Sequence, residues 1–199
     1  MLIKKNLTQF TDALASAEPV PGGGGVAALN GALGAALCSM VLNLTQGEKF
    51  ADVAAEVNAI NAKATDLRAY FLAGVDKDAE VFNGLMACYK LMPKSTDAEK
   101  KARSVAIQKA TQKATLLPLE MADKCLEVIK LAQRVLVIGN KNVLSDAKVA
   151  IACAHAAFYS SLYNVDINLH SIKDEDFKAK AAAKEQAMKA EMEELHIRF

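Results

Sequence analysis

A Pro/Gly run, Pro19-Val-Pro-Gly-Gly-Gly-Gly25, opens directly into a long uncharged stretch, Val26 to Gln46. No other feature constrains the fold of this chain as much. Pro and Gly interrupt regular structure, so a helix is expected to begin after Gly25 and to stop at Gly47. The first turn of any helix carries backbone N–H groups without intrahelical partners. Glycines leave such groups unshielded. The run is therefore either a tight turn and nothing more, or a place where an anion or a ligand oxygen is held. No Gly-Lys-Ser/Thr follows and no strand precedes it, which excludes the two common nucleotide-binding loops.

The stretch after the glycines is apolar on every side, as a buried or a membrane-spanning helix would be. Asn30, Ser39 and Asn43, with Gly31, Gly34 and many alanines, argue against a membrane span. Ala27, Gly31 and Ala35 form one ridge of small residues, and Ala28, Ala32 and Ala36 another. Such ridges let neighbouring helices approach closely. The expectation is a central helix of a bundle that also packs against a partner chain.

The remaining sequence supports helices throughout. A first helix is expected over about Thr8–Ala17, and a third over Ala51–Leu91. The third carries Val53, Val57, Ile60, Ala64, Leu67, Phe71, Gly74, Asp78, Val81 and Leu85 at alternating steps of four and three. Asp78 occupies an apolar slot in that stripe. A carboxylate there must be hydrogen-bonded, paired or protonated. It is either a structural group capping another helix or a catalytic acid or base, and Gly74 or Gly84 breaking the helix would move it to a junction. Thr96 and Glu99 have capping-box spacing and start a fourth helix, which Pro118 is expected to kink or break before Gly139.

The polar loop Gly139-Asn-Lys-Asn-Val-Leu-Ser-Asp146 leads to a fifth helix, Ala147–Ile167, for which Ser145 or Asp146 is a ready N-cap. The other reading of this loop is a second cluster of polar groups beside a cleft. Asn164 follows Asp146 by five whole turns, about 27 Å along one helix. Asn164 and Asn168 are thus expected to serve structure or a different site. A last helix, about Asp174–Ile197, straps the outside.

With 199 residues and no internal repeat or linker, residues 1–199 are read as a single all-α domain. Lys and Arg number 24 against 23 acids, a net charge of +1, so neither nucleic acid nor an anionic membrane is an expected partner. Cys38, Cys88, Cys125 and Cys153 lack C-x-x-C spacing and read as reduced thiols of a cytoplasmic protein. His155, His170 and His196 are equally scattered, and no metal site is expected. The N-terminus, Met-Leu-Ile-Lys-Lys-Asn, has no signal-peptide core.

Three stretches taken together resemble the cyclodeaminase/cyclohydrolase family. This family contains the C-terminal domain of formiminotransferase-cyclodeaminase and the stand-alone methenyltetrahydrofolate cyclohydrolases. The first stretch is Pro21-Gly-Gly-Gly with Val26-Ala-Ala-Leu, Gly31-Ala-Leu-Gly-Ala-Ala and Met40-Val-Leu-Asn-Leu-Thr. The second is Asp78-Ala-Glu-Val-Phe82. The third is Gly139-Asn140, Ser145-Asp146 and Asn164-Val-Asp-Ile-Asn168-Leu. The resemblance implies an all-helical bundle, dimerisation through helix packing, and a folate site where the subunits meet. It implies Asp78 and Asp146 as acid/base groups, and Pro21, Gly22, Gly23, Gly24, Lys49, Asn140 and Ser145 as substrate-binding residues. No cofactor beyond the tetrahydrofolate substrate is implied. Two positions differ from the usual pattern: Gly25 stands where a Ser is common, and Glu48 precedes Lys49 where the Lys usually comes first. No formiminotransferase domain precedes residue 1, which points to a stand-alone cyclohydrolase. The alternatives are a formiminotetrahydrofolate cyclodeaminase and a non-catalytic helical folate-binding or scaffold dimer.

Overall fold

The computed structural model describes residues 1–197. It is a bundle of six α-helices: α1 (Leu7–Leu14), α2 (Gly23–Asn43), α3 (Ala54–Lys90), α4 (Asp97–Ile138), α5 (Leu144–Leu169) and α6 (Glu175–Glu194). No strand occurs among the described residues. Short 3-10 turns at Leu2–Lys4, Glu48–Val53 and Lys141–Val143 complete the chain.

Helix α2 is the axis, packed along α3, α4 and α5. By length and hydropathy it passes for a membrane span, yet most of it is buried within the bundle. Its small residues explain why. Ala27, Ala28, Ala32 and Ala35 are buried, and a Cβ at Gly31 would lie 2.6 Å from the Phe71 ring of α3. The absence of a side chain at Gly31 therefore sets how closely α2 and α3 approach. The expected stripe of α3 faces this contact: Val57, Ile60, Ala64, Leu67, Phe71 and Gly74 are all buried. Helix α3 runs unbroken through Gly74 and Gly84, so Asp78 stays on its helix.

Several expected boundaries move. Helix α2 begins at Gly23 rather than after Gly25, with Gly22 as N-cap and the first helical bond from Val26 N–H to Gly22 O at 3.1 Å. Gly costs up to about 1 kcal/mol per residue in a helix, but at Gly24 the turn is packed against Asp78 of α3 and a side chain would not fit. Ser145 and Asp146 do not cap α5. Its N-cap is Val143, and the two polar residues lie inside the first turn.

Pro118 neither breaks α4 nor leaves its backbone unpaired. The helix continues for 42 residues across it. Pro118 has no N–H to offer the carbonyl of Ala114, four residues earlier. Asn168 Nδ2 of α5 donates to that carbonyl at 3.0 Å. A buried carbonyl left unpaired would cost about 1–3 kcal/mol. Asn168 thus serves structure, one of the two roles its sequence left open.

Outside this core, α6 lies along the bundle as the expected strap. Asp174 caps it by accepting from Phe177 N–H at 3.0 Å, and Ala181, Met188 and Met192 form its thin buried seam. The four cysteines are free thiols, with Cys38 and Cys125 buried.

Candidate active site

The N-terminal turn of α2 meets α3 at Asp78. A Cβ at Gly24 would lie 2.1 Å from Asp78 Oδ1 and 2.6 Å from its Cγ. Only glycine allows the carboxyl group to rest against the helix backbone there. The backbone N–H of Gly25 donates to Asp78, and the carboxyl group is half-buried. Burial raises its pKa above the ordinary aspartate value, and the Gly25 bond offsets this only in part. Gly22 has no side chain to cap α2, so Asp78 supplies from another helix an acceptor that the local sequence lacks. The structural and the chemical readings of Asp78 therefore describe one geometry. An acceptor at a helix terminus is also a proton acceptor poised beside free N–H donors.

Pro21 is buried behind this turn, and the Val20–Pro21 peptide bond is cis. Gly23 is exposed at the tip. On its other side stands Asn164 of α5: a Cβ at Gly23 would be 3.5 Å from Asn164 Nδ2 and 3.9 Å from Oδ1. Asn164 was expected to serve structure or some other site. That site, apart from Asp146, is the glycine turn: three elements, α2, α3 and α5, place Gly23, Asp78 and Asn164 together. The spacing of Asn164 from Asp146 carried the signal, since it put Asn164 at the opposite end of α5, but nothing in the sequence says that this end meets the glycines.

The second group of expected site residues gathers at the far end of α2. Asn140 N–H donates to Thr45 Oγ1 at 3.0 Å, and Asn140 Nδ2 donates to Leu44 O at 2.9 Å, satisfying carbonyl and hydroxyl groups just past the α2 C-terminus. Asn140 Oδ1 accepts from Asn142 N–H at 3.2 Å and caps the short turn that leads into α5. Ser145 is exposed and Asp146 half-buried in the first turn of α5, where an acidic residue is favoured by the helix dipole. Lys49, exposed with its Nζ 4.8 Å from the Phe50 ring, follows the end of α2 in the 3-10 turn. Helix α2 has 21 residues, so the two groups are separated by about 31 Å within one chain. One subunit brings Gly22, Gly23, Gly24 and Asp78 together. It does not bring Asn140, Ser145, Asp146 or Lys49 to them. No cluster of His, Cys, Asp and Glu suited to a metal ion occurs among the described residues.

Comparison with known proteins adds a chemical setting. Residues 6–187 match the family described as formiminotransferase-cyclodeaminase. A methenyltetrahydrofolate cyclohydrolase of Methylorubrum extorquens is 42% identical over 196 residues, 98% of this chain and 94% of that protein. A formimidoyltransferase-cyclodeaminase of Rattus norvegicus is 33% identical over 187 residues, and the match covers 90% of this chain but 33% of that longer protein. The crystal structure of formiminotetrahydrofolate cyclodeaminase from Thermotoga maritima superposes with a TM-score of 0.86 at 30% identity, covering 98% of this chain and 93% of that one.

Proposed function

The chain belongs to the formiminotransferase-cyclodeaminase family, and on that footing we propose that it is a methenyltetrahydrofolate cyclohydrolase, soluble and cytoplasmic, needing no cofactor beyond its folate substrate. The observation that carries this reading is the 42% identity with a cyclohydrolase along nearly the full length of both chains.

Asp78 suits the reaction. The substrate carries an amidinium cation, a one-carbon bridge between N5 and N10. A carboxylate beside it lowers the cost of holding that charge out of water. Water adds to the bridging carbon while the carboxylate takes one of its protons. The tetrahedral adduct then collapses. Its hydroxyl proton leaves, the carbon–N5 bond breaks, N5 takes up a proton, and 10-formyltetrahydrofolate results with net release of one proton. The N–H of Gly23, exposed at the tip of the turn, is suitably placed to steady the oxygen as charge develops on it, with the Gly24 backbone beside it.

The two separated groups of site residues fit a site shared between two copies. Val26, Asn30, Leu33, Leu37, Met40 and Leu44 follow alternating steps of four and three along α2. Leu33, Met40 and Leu44 are 47%, 42% and 47% exposed. An apolar seam of this kind on an exposed helix face suits pairing with an identical helix. Antiparallel pairing about a two-fold axis would set the glycine turn and Asp78 of one copy against Asn140, Asp146 and Lys49 of the other. Asp146 would then act with Asp78 as the second acid/base group, with Asn140, Ser145 and Lys49 binding substrate.

The cyclodeaminase reading rests on the Thermotoga maritima structure. In that reaction N10 attacks a formimino carbon and ammonia leaves. One assay separates the readings. Purified protein mixed with methenyltetrahydrofolate is expected to bleach the methenyl absorbance faster than buffer does. Release of ammonia from formiminotetrahydrofolate, with a rising methenyl signal and no accelerated bleaching, would instead establish the cyclodeaminase. Silence in both would leave a binding protein.

A further inference from the structure

Asn164 has a place at the glycine turn but no role in the chemistry described so far. Its two amide ends differ. Nδ2 donates to Ser160 O at 2.7 Å, one turn back along α5. This bond fixes the orientation of the amide. Oδ1 accepts no hydrogen bond among the described residues, and it lies 3.9 Å from where a Cβ of Gly23 would be.

The groups around the turn are unequal in kind. The N–H groups of Gly23 and Gly24 only donate. The Asp78 carboxylate only accepts when ionised. A water molecule poised to attack a carbon must direct a lone pair at it, which commits both of its O–H bonds elsewhere. Asp78 takes one of them. The second needs another acceptor, and the backbone donors of the turn cannot provide it. Asp146 of the other copy, holding that proton as a carboxylate, would raise the pKa of Asp78 further through like-charge repulsion, so its acid/base role belongs to the collapse of the adduct. A neutral amide oxygen provides it without that penalty.

We propose that Asn164 is a catalytic residue whose Oδ1 accepts the second hydrogen bond of the attacking water, so that Asp78 and Asn164 together aim the water at the one-carbon bridge. The role rests on the cyclohydrolase reading and adds to it. The step transfers nothing to Asn164: the proton goes to Asp78, and the amide holds the remaining O–H until the adduct collapses.

Two variants test it with methenyltetrahydrofolate as substrate, at alkaline pH where both carboxylates are ionised. Asn164→Asp keeps the acceptor oxygen and loses the bond to Ser160. Asn164→Leu loses both. The Leu variant is expected to lose kcat by about a hundredfold, the usual scale for losing alignment of a reacting group, with little change in KM. The Asp variant is expected to stay within about tenfold of the parent. Equal losses in the two variants would make the Ser160 bond the cause and Asn164 merely structural. A raised KM with kcat unchanged would make it a substrate-binding contact. Either result overturns the proposal, as does a Leu variant running at the parent rate. A parent protein that fails to accelerate methenyl decay overturns the cyclohydrolase reading and this role with it, whereas the other contrary results leave that reading standing.

Discussion

Replacing Asp78 by Asn is expected to lower turnover of methenyltetrahydrofolate by about a hundredfold or more, within the range that acid/base groups contribute, while making the folded protein more resistant to heat. The pairing of these effects separates chemistry from capping. Asn has nearly the same shape and still accepts from the Gly25 N–H, so the tertiary cap on α2 survives. What it loses is the ability to take a proton. The stability change follows from the raised pKa of Asp78, whose first cause is burial. A carboxyl group with a folded pKa above its unfolded one penalises the folded state when ionised. That penalty is present in full above the folded pKa and vanishes below the unfolded one. The melting temperature of Asp78→Asn should therefore exceed that of the parent at neutral pH. The difference should shrink as pH falls through the carboxylate range. In the parent, the acid limb of the rate profile should lie above the ordinary aspartate pKa, because the base works only when ionised. A variant that melts lower than the parent at neutral pH and keeps its rate would mean that Asp78 is a structural cap alone.

A second large effect is expected from the smallest possible substitution. In Gly24→Ala the new methyl carbon would meet Asp78 Oδ1 at 2.1 Å, far inside contact distance. Ala is a better helix former than Gly by about 1 kcal/mol, so α2 itself gains. The helix backbone cannot retreat, because its next turns are packed against α3 and α5. The carboxyl group must swing away, and it loses both the Gly25 bond and its alignment with the substrate. Loss of alignment alone is commonly worth about a hundredfold in rate. Circular dichroism should show an unchanged helical fold, with kcat falling as far as in Asp78→Asn. An active Gly24→Ala enzyme would place the reacting carbon elsewhere.

These two residues also show how much was legible in the sequence. Period and punctuation gave the bundle, the course of α3 and the anomaly at Asp78, because a charged residue in an apolar stripe is visible without coordinates. They did not give the partner of Asp78. Gly25 reads in sequence as a hydroxyl lost from the usual pattern, yet its backbone N–H is what the carboxylate accepts from, and any residue but proline has one. The start of α2 is hidden for the same reason: glycine reads as a breaker, whereas Gly23, Gly24 and Gly25 form the first turn, and at Gly24 a side chain would collide with Asp78 of α3. Pro118 likewise reads as a break, since the remedy, the amide of Asn168, lies fifty-four residues beyond the Ala114 carbonyl that it satisfies. The separation of the two expected site groups was the least legible feature. Motif order says which residues serve one function, but not whether one chain or two bring them together.

Co-expression of Asp78→Asn and Asp146→Asn subunits tests most directly whether the site is built from opposite ends of α2 in two copies. Each variant alone should be nearly inactive, since every site in its dimer lacks one carboxylate. A mixed dimer concentrates both substitutions in one site and leaves the other intact. Random pairing should then restore about a quarter of the parent activity, because half of the dimers are mixed and each holds one working site of two. Activity no greater than that of the separate variants would contradict a shared site and return the whole reaction to one end of a single chain.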